Sequence, residues 1–224
     1  MTGMRETLRT RRPDREADLF LRFSTPFLGW PADEQQLTFL RRGWSLMAAT
    51  LGRHTAIASV KEQSIDGPGG EILLRVYTPF ATGGLTPAFL WCHGGGFIVG
   101  DLDANDSICR GIARASGAIV VAVRYRLVPE NSLYDGREDF LAALDWIGRH
   151  GATLGIDTRR LAIGGDSAGG NISAAVAQEN LRRGGPPLCR QILVYPATNL
   201  VDHFDSVEEN ASGFMLTAEF ITSL

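Results

Sequence analysis

Several absences narrow this sequence before any motif is read. No apolar run approaches the roughly 18 residues that a membrane-spanning helix needs, and the opening stretch MTGMRETLRTRRPDRE lacks the apolar centre of a secretory leader. Neither a span nor a signal peptide is expected, and the expected location is the cytoplasm. Cysteine is scarce: Cys92, Cys109 and Cys189 are isolated, odd in number and never in a CxxC pair. They read as thiols in a reducing compartment, not as a disulfide frame. There is no HExxH and no cysteine–histidine cluster, so no metal is expected. No GK[ST] follows the glycines at 164–170, and G-x-G-x-x-G spacing fails from Gly164, so no phosphate-bearing cofactor is expected. Lysine is almost missing, with Lys61 the only one. The formal net charge of -3 gives no reason to expect nucleic acid or an anionic membrane as partner.

What is present is an ordinary globular balance, with 44% hydrophobic and 21% charged residues in 224. That length is enough for one core with a small accessory segment. Residues 1–55 are charged and irregularly apolar, with helices expected over Ala17 to Phe27 and Glu34 to Leu51 around the breakers Pro26, Gly29 and Pro31. Residues 57–65 and 71–77 alternate in polarity around DGPGG, which predicts an antiparallel hairpin. The chain then alternates between apolar runs and helical patterns. PAFLWCH (87–93), AIVVAVRY (118–125), LAIGG (161–165) and QILVYP (191–196) read as strands. Residues 102–116, 139–150 and 168–183 read as helices. This is the pattern of βαβ units and predicts an α/β fold with a mostly parallel sheet. Strand order and oligomeric state do not follow from it. After Pro196 the period is lost, and a new helix is expected to open near Thr217.

Two segments carry chemistry. GDSAG, Gly165 to Gly169, lies between a strand and an alanine-rich helix, which is the setting of a nucleophile elbow. Its glycines allow a sharp turn with Ser167 at the tip and free helix N–H groups beneath it. The plainer reading is a glycine-rich turn with Ser167 as N-cap. HGGG, His93 to Gly96, follows a strand and begins 74 residues before Ser167. Acyl transfer needs N–H donors for an oxyanion, and glycines let the backbone come close. Gly95, Gly96 and Ala168 are the candidate donors, Ser167 the candidate nucleophile, and His93 a structural pin for the loop.

On HGGGFIVGDLDANDSICR (93–110), YRLVPE (125–130), REDFLAALDWI (137–147), LAIGGDSAGGNISAAVA (161–177) and ILVYPATN (192–199), the sequence resembles the hormone-sensitive lipase family of α/β-hydrolases, the bacterial family IV esterases. The resemblance runs from about residue 55 to 224. It implies an α/β-hydrolase fold with a mostly parallel sheet and a helical cap. Residues 1–55 would form a first cap segment, 56–199 the N-terminal part of the core, and 200–224 the start of a second cap segment. It implies hydrolysis of a small ester with a modest apolar acyl group, without cofactor. Phe20, Leu21, Phe23, Phe27, Phe97, Phe214 and Met215 are candidates to line the acyl site. Asp166 is expected to stabilise the turn and not to serve as the triad acid.

Two departures stand out. Arg124 replaces the acid of the family's DYRLAPE, and NSLYDGRED replaces a proline-containing segment, so altered loop packing is expected there. The catalytic partners are also missing. The only histidine after Ser167 is His203, which the resemblance assigns to the second cap segment, and His54 and His150 fall outside any triad position. An α/β-hydrolase orders its triad as serine, acid, histidine, so the base and acid are expected in a C-terminal part not contained here. The alternatives left open are a degenerate, non-catalytic binding protein and an amidase or lactonase on the same scaffold.

Overall fold

A computed structural model of the chain describes residues 14–24, 30–80, 83–202, 204–212 and 216–223. It separates into two compact units, Arg41–Thr198 and a smaller one made of Met1–Leu40 with Asn199–Leu224.

The larger unit is built on a six-stranded sheet. Strands β1 (Ser59–Gly67), β2 (Gly70–Thr78), β3 (Thr86–Cys92), β4 (Ile119–Val123), β5 (Ile156–Asp166) and β6 (Leu188–Val194) lie in the order β1-β2-β4-β3-β5-β6. β1 and β2 form the antiparallel hairpin read from the sequence, closing with Gly67 opposite Gly70. β2 is also antiparallel to β4, and β4, β3, β5 and β6 are mutually parallel. All five residues of β4 are buried, as a continuous apolar run requires when both faces are covered.

Helices α1 (Arg15–Ser24) and α2 (Glu34–Leu51) come first, and the unit boundary falls within α2. α3 (Asp106–Ser116) follows β3, α4 (Leu133–His150) follows β4, and α5 (Ser167–Arg183) follows β5. Cys109 and Ala113 of α3 pack on Phe89, Trp91, Val120 and Ala122, the residues that one face of the sheet presents. α4 and α5 pack on each other, with α5 against β3, β5 and β6. Strand residues one position along, such as Leu90 and Val121, are fully buried towards that second face. The smaller unit adds α6 (Asp205–Glu209) and α7 (Ala218–Thr222). In it Trp30 and Phe220 pack at 6.0 Å, and Thr217 caps α7 by accepting from Phe220 N.

Three element starts differ from the sequence reading by four residues or more. α4 begins at Leu133, six residues before Asp139, because Ser132 and Asp135 form a capping box: Ser132 Oγ accepts from Asp135 N, and Asp135 accepts from Ser132 N at 2.8 Å. β5 begins at Ile156 instead of Leu161, across a bulge opposite Thr86 and Ala88 that its polar DTRR segment conceals. α3 begins at Asp106, since Asp101 caps a preceding turn by accepting from Ala104 N at 2.6 Å. Among the described residues, β6 is an edge strand; Ile192 within it is 50% exposed and Tyr195, just after it, 74%.

Candidate active site

The strand order decides what meets what. β3 and β5 are parallel neighbours, with Cys92 opposite Gly165. The HGGG loop leaves the end of β3 and the serine turn leaves the end of β5, so segments 74 residues apart start side by side. The helices that follow lie on opposite faces of the sheet. A chain that departs to opposite faces from adjacent parallel strands opens a crevice at their carboxyl ends.

Ser167 sits half-buried at the first position of α5 with φ 50°. A non-glycine residue in the left-handed region costs on the order of 1–3 kcal/mol, and the surroundings must hold it there. Two things do. Gly165 and Gly169 let the turn press against the end of β3: a Cβ on either would collide with the Cys92 carbonyl, and one on Gly165 would also reach the Gly169 backbone at 2.7 Å. Beyond β6, Ala197 N donates to Ser167 O at 3.1 Å, and Asn171 Nδ2 ties Ala197 O back to α5 at 2.6 Å. Among the described residues, no group hydrogen-bonds Ser167 Oγ, and none accepts from Ala168 N–H in the first turn of α5.

The opposing loop is tied at almost every polar group. His93 is buried, and burial pulls its pKa below 6.5, which keeps the ring neutral. Its Nδ1 lies 2.8 Å from Gly94 O; a carbonyl only accepts, so Nδ1 carries the proton. The Tyr125 ring stacks on His93 at 4.4 Å, and Tyr125 Oη donates to His93 O at 2.8 Å. Gly94 N donates to Asp166 Oδ1 at 2.8 Å, and Gly95 O accepts from both Ile98 N and Val99 N. Phe97 O accepts from Val128 N, and Arg41 donates through Nε to Ile98 O, through Nη2 to Val128 O, and to both oxygens of Glu130. Among the described residues, what remains unspent is the pair of N–H groups on half-buried Gly95 and Gly96, with φ 122° and 57°.

All four sequence-named site residues, Ser167, Gly95, Gly96 and Ala168, therefore belong to the two turns at the ends of β3 and β5. His93 pins its own loop. Asp166 reaches the other turn, a contact that spacing alone does not announce. Burial raises its pKa, against the hydrogen bonds from Gly94 N and its own backbone. Tyr125 and Asn171 stand inside YRLVPE and LAIGGDSAGGNISAAVA and Arg41 outside any motif, yet nothing in the sequence shows what their side chains bond. Their partners are backbone carbonyls far away in the chain, and no local pattern marks them.

Arg124 is exposed and has no side-chain partner among the described residues, while Arg126 pairs with Asp135 and Asp139. Phe97 is buried within the loop. The side chains of Phe20 and Phe23, together with Phe27, Phe214, Met215 and His203, lie outside the described residues. His54 is exposed, and exposed His150 ends α4 with Nδ1 3.1 Å from Trp146 O. Among the described residues, no group of three His, Cys, Asp or Glu is placed to hold a metal, and no helix is long and apolar enough to cross a membrane.

Comparison with known proteins places the chain in a family. A family profile described as alpha/beta hydrolase fold matches residues 89–224, more than half of the chain, and the chain belongs to that family. It is 43% identical over 166 residues to Esterase LipI of Mycobacterium tuberculosis, covering 73% of this chain and 52% of that protein. It is 37% identical over 135 residues to an ethyl acetate hydrolase of Pseudomonas putida, covering 59% and 42%. Among solved structures, a hyperthermophilic esterase from the archaeon Pyrobaculum calidifontis superposes with a TM-score of 0.87 at 32% identity, over 95% of this chain and 69% of that one. The chain thus spans about half the length of the curated relatives it matches. These relatives agree with the resemblance carried by HGGG and GDSAGG.

Proposed function

We propose that this chain carries the nucleophile and the oxyanion donors of a serine carboxylesterase acting on small esters with a modest apolar acyl group. The observation that carries the reading is Ser167 held at φ 50° between β5 and α5, beside two glycines whose N–H groups are unspent among the described residues. Ser167 Oγ attacks the ester carbonyl carbon. The charge that develops on the carbonyl oxygen is taken by the N–H groups of Gly95, Gly96 and Ala168. The alcohol leaves, an acyl-serine forms, and water releases the acid. A histidine takes the Ser167 proton and an acid orients it. Both are assigned to sequence beyond this stretch, because the matched segment covers only 52% of Esterase LipI and no described histidine bonds Ser167.

The test compares this chain with one extended to the length of its relatives, using p-nitrophenyl acetate and a fluorophosphonate probe. The extended protein is expected to turn over the ester and to be labelled at Ser167. Ser167→Ala should lower kcat by about 10³-fold or more and abolish labelling. Turnover that survives Ser167→Ala sinks the reading. The 224-residue chain alone is expected to be far slower than the extended one.

A further inference from the structure

The residue before the serine occupies the N-cap position of α5 and does not cap it. Asp166 has the extended backbone of an N-cap, with φ -105° and ψ 147°, yet its side chain bonds nothing on its own helix. An N-cap carboxylate ordinarily accepts from the second or third helical N–H, which here belong to Ala168 and Gly169. Asp166 Oδ1 instead accepts from Gly94 N, on the neighbouring loop. The approach is close: a Cβ on Gly94 would run into Asp166 Oδ2 and lie 2.9 Å from Asp166 O. The ionisable groups that feel this charge are Cys92 on β3, Cys109 on α3, Tyr125 after β4 and Tyr195 after β6. None of these is a cation, so among the described residues the carboxylate is tied down by a backbone N–H and not by an ion pair.

We propose that Asp166 is the positioning residue of the oxyanion hole. By turning its carboxylate from α5 to Gly94 N–H, it fixes the peptide that leads into Gly95 and Gly96. The same diversion leaves Ala168 N–H unspent. One side chain thereby sets the distance between donors that come from two different strands. The inference rests on the serine-esterase reading of the site.

The experiment compares Asp166→Ala and Asp166→Asn in the protein extended to the length of its relatives. Asparagine keeps an acceptor of the same reach; alanine removes it. Asp166→Ala should lower kcat about 10- to 100-fold, the scale of a misplaced oxyanion donor, with KM within about twofold. A trifluoromethyl ketone, which forms a tetrahedral adduct with the serine, should weaken by the same factor as kcat. Asp166→Asn should recover kcat to within about fivefold. Hydrogen exchange of the segment 93–99 should accelerate in the alanine variant and not in the asparagine variant. Unchanged kcat in Asp166→Ala, unchanged exchange, or a folded Asp166→Asn no better than alanine each overturns the proposal. If the unaltered protein is not labelled at Ser167, the esterase reading fails by itself. The exchange comparison still decides whether Asp166 holds the loop.

Discussion

The two glycine-rich turns that meet at the ends of β3 and β5 are built on opposite plans. In the loop after β3, the polar groups of His93, Gly94, Gly95, Phe97 and Ile98 are engaged by Tyr125, Asp166, Val128, Arg41 and the loop's own backbone. The turn after β5 has few ties of its own. Its shape comes from contact with the Cys92 carbonyl and from the Ala197 bond, and Ser167 Oγ is unengaged among the described residues. The difference has a physical reason. A free donor or acceptor in a half-buried site costs about 1–3 kcal/mol, so a fold keeps few of them and secures everything around them. What the first loop secures is a position for two N–H groups; what the second secures is a strained serine.

The sharpest way to break this pairing is to separate the turns. In Gly165→Ala, the new methyl meets the Cys92 carbonyl and the Gly169 backbone, neither of which is a flexible side-chain end. β5 must move away from β3 at the one place where the serine is set. A loss of stability of roughly 3 kcal/mol is expected, together with loss of fluorophosphonate labelling, read by chemical denaturation and by the probe. An alanine variant with unaltered labelling would show that the elbow does not depend on this contact.

A smaller break concerns only the tied loop. Tyr125→Phe keeps the stack on His93 and removes the hydroxyl that donates to His93 O. Both residues are buried, so the carbonyl loses its partner without gaining water. The expected cost is about 1–2 kcal/mol of stability. Hydrogen exchange should rise in the segment 93–99 and not in the hairpin β1–β2. An equal rise in both would mean that Tyr125 supports the whole sheet and not this loop.

Much of this arrangement is legible in the sequence. The αβ alternation marks the parallel strands, DGPGG marks the hairpin, and the two glycine motifs mark Ser167, Gly95, Gly96 and Ala168. α4 reads too short because YDGRED looks polar, although the Ser132–Asp135 spacing marks its true start. β5 reads too short for a similar reason, since Arg159 and Arg160 each pair with Asp157 at its start. Strand order is not legible, because it depends on contacts between distant segments. With it go the link between Gly94 and Asp166 and the reach of Arg41 from α2 to Ile98 O. These are properties of a folded sheet; no local window shows which residues will meet. Arg124 shows the converse. It is a conspicuous departure in the motif, yet in the fold it is exposed at the end of β4, where only its backbone N is engaged, by Leu73 O at 3.0 Å.

The smallest effect would sharpen what ties the two turns together. Burial raises the Asp166 pKa above its ordinary 3.8, so the native state holds this proton more tightly than the unfolded chain does. The stability linked to the group is therefore fully present below 3.8 and is lost as pH rises through the folded value. An asparagine in its place has no carboxyl to titrate. Melting temperatures of the unaltered protein and of Asp166→Asn, followed from about pH 3 to about pH 8, should give a difference that is flat at the acid end. It should then grow in favour of asparagine as pH climbs, and level off once the native carboxyl is ionised. A difference that moves the other way, with the unaltered protein gaining on asparagine as pH rises, would mean that the hydrogen bonds to the carboxylate outweigh its burial. The tie between the turns would then be held by the charge itself. Growth in favour of asparagine means that the fold retains Asp166 at a cost to its own stability, as expected of a group placed for the neighbouring serine.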